Sequence, residues 1–267
     1  MSGVLTFLYG LVCYGAFFCT FLYTVGFLGD FGVPKSIDSG AAGALLPSLA
    51  VDALLLALFA VQHSGMARRR FKRWWNGVVT PAAERSTYVL TTSLVLIVMM
   101  WQWRPLPAAV WRVEGGFGRE ILWGLYALGW LTVLGGTFMI SHTHLFGVSQ
   151  VWARLRGRKP PELQFQTRWL YRHVRHPLML GFIVAFWATP SMSLGHLVFA
   201  AGASGYILLA TLRFEEPDLE HYLGETYRRY RERVPAFIPR LGRGVRAEDL
   251  IGGGEPALEE SGEAGMG

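Results

Sequence analysis

Four short stretches of this chain carry residue types that could do chemistry. The densest is Tyr171-Arg172-His173-Val174-Arg175-His176-Pro177-Leu178-Met179-Leu180-Gly181. Pro177 suits the first position of a helix, where a missing N–H costs nothing. Arg175 and His176 then stand at the mouth of that helix, whose free N–H groups and positive dipole end favour a bound carboxylate or phosphate. The second stretch is Arg213-Phe214-Glu215-Glu216-Pro217. Its adjacent carboxylates could cap the helix that Pro217 begins, or accept hydrogen bonds from a ribose or an ammonium group. Their pairing with His176 across one hairpin favours the second use. The third stretch, His142-Thr143-His144 through Gln150-Val151-Trp152, offers a His-x-His pair. Two imidazoles without a third or fourth ligand nearby do not make a metal site. No metal is expected, and a hydrogen-bonded pocket lining is the better reading. The fourth is Gln62-His63-Ser64. An ordinary imidazole pKa of about 6.5 suits His63 to accept a proton; an interfacial polar cap is the equal alternative. No Walker-type loop, dinucleotide fingerprint, nucleophile elbow or H-E-x-x-H motif occurs.

The elements that must position these stretches are membrane helices. Hydrophobic residues make up 52% of the 267 and charged residues 16%. Residues 4–28 contain no charged side chain, enough to cross a bilayer core of about 30 Å as a helix. Only Ser2 and Gly3 precede that run, which exceeds a signal-peptide core of roughly 7–15 residues, so it is read as a retained span. Cys13 and Cys19 lie inside it and are read as small apolar side chains. Further spans are expected at 41–62, 87–103 and 120–140, then a hairpin over 178–212 that turns at Thr189–Ser193. That makes an all-α, multi-pass transmembrane bundle of about six spans. Lys and Arg set its orientation: 21 of the 25 fall in the 63–86 and 141–177 loops and from 213 onward, which places those segments and both termini in the cytosol. The net charge of +6 thus meets lipid headgroups and is not read as a nucleic-acid footprint. From Pro177 to Thr189 a helix spans only about 20 Å, so His176 falls at membrane depth, where ionisable residues are costly and suggest function; snorkelling is the alternative. Asp52 lies mid-span, bonded to a neighbouring helix or lining a cavity. His196 and His221 are read as structural. Residues 215–234 form an amphipathic helix on the membrane surface. Residues 1–240 are read as one integral membrane domain and 241–267, rich in Gly and Glu, as a disordered tail.

The Arg-His-Pro before a short hairpin, the Glu215-Glu216 pair and the Tyr-rich helix ending at Val234-Pro235 together resemble the isoprenylcysteine carboxyl methyltransferase superfamily. The resemblance implies S-adenosylmethionine bound at the cytosolic side of the C-terminal hairpin. It implies cofactor roles for Tyr171, His173, Arg175, His176, Gly181, Glu215 and Glu216. The superfamily pattern usually has Tyr two residues after the Pro, where this chain has Met179. The remainder resembles the nurim family, through Gln62-His63-Ser64-Gly65-Met66-Ala67-Arg68, Glu84-Arg85-Ser86-Thr87-Tyr88, and the His144-Leu145-Phe146-Gly147 loop ending at Gln150-Val151-Trp152. That match runs from the first span to about Pro239. Bacterial nurim-family members include methanethiol S-methyltransferases, which implies a cytoplasmic-membrane enzyme that methylates a small thiol, methanethiol, to dimethyl sulfide. In such a reaction His63 or His144 would take the thiol proton and Arg175 would steer the thiolate. Two alternatives are a different acceptor (an isoprenylated cysteine carboxylate or a lipid amine) and a non-enzymatic nurim-like membrane protein.

Overall fold

The computed structural model describes residues 2–160, 165–240, 242 and 244–251. In chain order the elements are α1 (Gly3–Gly29), α2 (Leu45–Ala67), α3 (Arg69–Trp75), α4 (Pro81–Gln102), β1 (Ala109–Arg112), α5 (Gly116–Ile140), α6 (His142–Leu145) and α7 (Val148–Leu155). A 3-10 turn (Trp169–Arg172) leads into α8 (Pro177–Trp187), β2 (Ser191–Ser193) and α9 (Leu194–Ala210). A π-helical turn (Thr211–Glu215) continues α9 into α10 (Glu216–Leu223), followed by α11 (Glu225–Arg233) and α12 (Glu248–Ile251). The protein is an all-α membrane bundle with one small two-stranded ribbon.

Four of these helices are long and apolar enough to cross a bilayer: α1, α2, α5 and the continuous Leu194–Leu223. The expected count of about six is not reached on those terms. In α4 the hydroxyls Thr87, Thr91, Thr92 and Ser93 dilute the apolar character, and Thr87, Thr91 and Ser93 bond back to the carbonyl four residues earlier. Helix α8 has only 11 residues, about 16 Å at the helical rise.

Close backbone approach explains the packing of α5 on α8. A Cβ on Gly129 would come within 2.7 Å of Ala185 N, and one on Gly181 within 2.8 Å of Gly129 O, so small residues let the two helices touch. Helix α1 packs on α4 and α7, and α2 on α4 and α9. Phe27, Trp103, Tyr126, Trp130, Phe186 and Phe199 fill the shared core. Cys13 faces inward and Cys19 outward, both free.

The predicted turn at Thr189–Ser193 is instead extended. Its β2 segment pairs antiparallel with β1, Trp111 opposite Met192 and Arg112 opposite Ser191. Pro190 cannot donate to such a ribbon, and it contributes its carbonyl to Val113 N at 2.8 Å. At this end His196 is buried, with Nε2 3.0 Å from Phe186 O. Asp52, fully buried, accepts the Arg104 N–H at 2.9 Å and ties α2 to the end of α4. Lys35 donates to the Trp103 carbonyl beside it.

One expectation for the C-terminal part needs correction. The single amphipathic helix over 215–234 is broken at Gly224, whose φ of 58° and ψ of −132° lie outside helical space. Of the tail expected from 241, the structure describes 242 and 244–251. Leu250 is 1% exposed and packs with Tyr227, Tyr230 and Val234, an apolar anchor hidden among Gly and Glu. The rest of the predicted tail, 252–267, lies outside the described residues.

Candidate functional site

Arg175 and His176 reach their positions because the 3-10 turn delivers the chain to Pro177 from below α8. Their backbone N–H groups donate to Pro235 O (2.8 Å) and Ala236 O (3.1 Å), which pins the segment to the end of α11. The Arg175 guanidinium is then consumed internally. Its Nε and Nη2 donate to Glu216 Oε1 at 2.9 and 2.5 Å, and Nη1 donates to the carbonyls of Arg231 (2.8 Å) and Val234 (2.5 Å). His176 Nε2 lies 3.1 Å from the same Glu216 oxygen, and Arg231 Nε lies 3.6 Å from the other. Arg175 and Glu216 side chains are 8% and 3% exposed. A buried pair this heavily bonded is a frame; four of the five guanidinium N–H groups have partners inside the protein. The expected steering of a substrate by Arg175 has little free donor left to act with.

Glu215 is different. Its side chain is 43% exposed, and its nearest partner is His176 Nδ1 at 3.8 Å. The π turn makes this division. Glu216 N donates to Thr211 O, five residues back, and the extra residue sends Glu216 into the frame while Glu215 stays partly exposed, its carboxyl pKa pushed up by burial. π turns recur at functional sites. Beside them, Tyr227 is 1% exposed and its hydroxyl has no partner among the described residues. Burial, and then the Glu216 and Glu215 carboxylates, push its phenol pKa up. Tyr171 is half-buried, and burial and Glu215 push its phenol up as well. His173 Nδ1 lies 3.2 Å from Arg240 O. Gly181, expected at a cofactor, sits in the α5–α8 seam, and Met179 packs at the edge of the main core.

A second cluster joins α2, α4 and α6. His63 stacks on Phe59, centroids 5.2 Å apart, and the Tyr88 hydroxyl lies 2.9 Å from its Nε2 and 3.0 Å from its Nδ1. The Arg85 guanidinium lies 5.0 Å from the Tyr88 ring centroid, and its Nε donates to Leu145 O at 2.6 Å. The loop that carries His144 is thereby tied to α4 beside Tyr88. Burial, then the Arg85 charge, hold the His144 imidazole below its ordinary pKa. Gly147, at φ 84°, lets this loop touch α4: a Cβ there would lie 2.7 Å from Ser86 N. Gln62 Oε1, Ser86 Oγ and Gln150 Oε1 are buried without partners among the described residues. His142 is held apart from them, between Tyr14 and Thr137 at 2.8 Å each.

The two clusters share an element. Ser64 bonds Tyr206 on α9 at 2.9 Å, and Arg68 lies 4.4 Å over Phe214 and 3.6 Å from Asp218. The end of α2 beyond His63 is thus fastened to the helix that carries Glu215 and Glu216. Sequence reasoning missed Arg85, Tyr88 and Tyr227 as site residues; Tyr227 showed only helical spacing. Among the described residues no three His, Cys, Asp or Glu gather to hold a metal. A cavity of about 340 Å³ lies at the far end of α8, lined by Asp30, Asp38, Arg112, Glu114 and His196, away from these clusters.

No protein-family model matches the chain, and no solved structure matches it. Curated proteins do. A methanethiol S-methyltransferase of Mycobacterium tuberculosis is 52% identical over 239 residues, covering 90% of this chain and 98% of that protein. One of Pseudomonas deceptionensis is 50% identical over 242 residues, 91% and 92% respectively. Nurim of Danio rerio is 31% identical over 176 residues, 63% and 64%. At half identity over nearly the whole length, with nurim more distant, the chain belongs to the methanethiol S-methyltransferase family of nurim-like membrane proteins.

Proposed function

We propose that this protein transfers a methyl group from S-adenosylmethionine to methanethiol, giving dimethyl sulfide and S-adenosylhomocysteine, at the cytosolic face of a bacterial cytoplasmic membrane. Family membership supports the reaction, and the skewed Lys and Arg distribution supports the orientation. The observation that carries the site is the partly exposed Glu215 carboxylate near a buried Tyr227 hydroxyl that has no partner among the described residues, both set on the Arg175–Glu216 frame. A carboxylate and a phenol there suit the ribose hydroxyls or ammonium of the donor. The donor, when bound, supplies an electrophilic methyl on a sulfonium.

The chain's own residues have two tasks. The first is orientation: Glu215, Tyr171 and Tyr227 hold the donor while Arg175, His176 and Glu216 keep those residues in place. The second is removal of the thiol proton, because the thiolate is the nucleophile. His63, hydrogen-bonded to Tyr88, and His144, kept neutral by burial and Arg85, are the acceptors proposed. The sulfur forms its new bond to the methyl carbon in line as the old carbon–sulfur bond breaks, and the electron pair leaves with the departing sulfide. The proton ends on imidazole.

Purified protein in detergent, given methyl-labelled S-adenosylmethionine and methanethiol, should release labelled dimethyl sulfide into the headspace. An isoprenylated cysteine and a lipid amine should remain unlabelled. Labelling of either of those with none in dimethyl sulfide would replace the acceptor; no transfer to any acceptor would remove the catalytic reading.

A further inference from the structure

We infer that the C-terminal segment from Gly244 to Leu250 is a strap that positions the donor-binding residues, with Leu250 as its anchor. The inference deepens the proposed function and rests on it for what is bound; the packing it describes stands without it.

The strap makes two sets of contacts. One is with the turn before α8, where Val245 N donates to Arg172 O at 3.0 Å; upstream of the strap, Arg240 N donates to His173 O at 3.0 Å. Gly244 lies so close that a Cβ would come within 2.6 Å of Arg172 Cβ and 2.9 Å of His173 Nε2. The other set is with α11. Leu250 is buried against Tyr227, Tyr230 and Val234, with Val245, Leu219, Leu223 and Phe165 at the edges. Arg233 Nη1 reaches Asp249 O at 2.7 Å. The strap closes its own end, Arg246 N donating to Asp249 Oδ2 at 2.8 Å.

Each residue that Leu250 covers touches the site. Tyr227 carries the unpartnered hydroxyl. Tyr230 donates to Tyr171 O at 2.6 Å. Val234 O receives Arg175 Nη1. This apolar cluster is separate from the core of the bundle. Loosening it therefore frees α11 and the 171–176 turn without unpacking the spans. Groups held in place by packing lose affinity when that packing is removed, because the geometry of contact drifts.

The test compares wild type, Leu250→Ala, Leu250→Met, Gly244→Val and, as a control, Glu248→Ala at an exposed position. Two measurements are made on the full chain in detergent: amide hydrogen exchange, and S-adenosylmethionine affinity by calorimetry. Leu250→Ala and Gly244→Val should speed exchange in 171–176 and 225–234, leave α1, α2 and α5 protected, and weaken donor binding about tenfold. KM for the donor should rise more than kcat falls. Leu250→Met and Glu248→Ala should match wild type. Unchanged exchange in both strap variants would overturn the inference, as would equal loosening of the spans. Selective loosening with unchanged donor affinity would overturn its link to the site. If wild type itself binds no donor, the functional reading falls, and the exchange pattern still decides whether the strap holds the turn.

Discussion

Arg175→Met is the most informative single change, because the structure separates what Arg175 holds from what it binds. Its guanidinium supplies two of the three close donors to Glu216 Oε1, and both carbonyl contacts to α11. With Arg175 gone, a carboxylate 3% exposed keeps His176 and the more distant Arg231. Breaking a buried pair by removing one partner costs about 3–5 kcal/mol. At roughly 2–4 °C per kcal/mol for a chain this long, the apparent melting midpoint should fall by about 6–20 °C. The companion double variant, Arg175→Met with Glu216→Leu, removes the stranded charge and should recover a large share of that loss. The assay is a thermal melt of the purified protein in one detergent, with no donor added, so that ligand binding does not contribute. A midpoint for Arg175→Met within about 2 °C of wild type would refute the frame. A double variant worse than the single would refute the account of why the frame matters.

Three further outcomes are expected. Glu215→Gln should leave the melting midpoint unchanged, since the side chain is 43% exposed, yet weaken S-adenosylmethionine binding by about 1.5–3 kcal/mol by calorimetry; a matching loss of midpoint would move Glu215 into the frame. The fold holds the His144 pKa below its ordinary value, so folded protein binds fewer protons there than unfolded protein. Its contribution is fully present above about pH 6.5 and shrinks as pH falls from that value toward the lowered one; between pH 7 and 5 the midpoint of His144→Gln should therefore fall less than that of wild type. In the pH profile of kcat/KM with methanethiol, loss of the true base, tested as His63→Gln and His144→Gln, should depress the rate at neutral pH and partly recover at alkaline pH, where free thiolate is abundant. Unchanged profiles in both would mean that the enzyme captures thiolate formed in solution.

Long apolar runs and the Lys–Arg skew made the bundle legible, because burying a helix in lipid demands composition that any reader of the chain can see. The meeting of two stretches was legible too: Arg175, His176 and Glu216 come together across the hairpin, although the sequence reading made them cofactor contacts and not partners of one another. What sequence could not divide was Glu215 from Glu216. Adjacent acids look alike until a π turn decides which one is buried. Gly181 was read only as a cofactor residue, and its contact with Gly129 joins segments too far apart in the chain for local sequence to show it. The β1–β2 ribbon joins segments about 80 residues apart, each too short to announce itself. Leu250 was lost among Gly and Glu because local composition says little about a single side chain that finds a distant hole.

The π turn between α9 and α10 means that this stretch of chain counts residues. Thr211–Glu215 holds one residue more than a regular helix would use there. Delete one, and the hydrogen bonds of α9 could run straight on into α10. Each residue turns an α-helix by about 100°, so the carboxylates would swing by that angle while Ser204 and Tyr206 above them stayed where they are. A one-residue deletion at an apparently forgiving junction, changing no charge, would thus uncouple Arg175 from Glu216. Its converse is that Glu215 and Glu216 are aimed by the length of the chain as much as by its side chains.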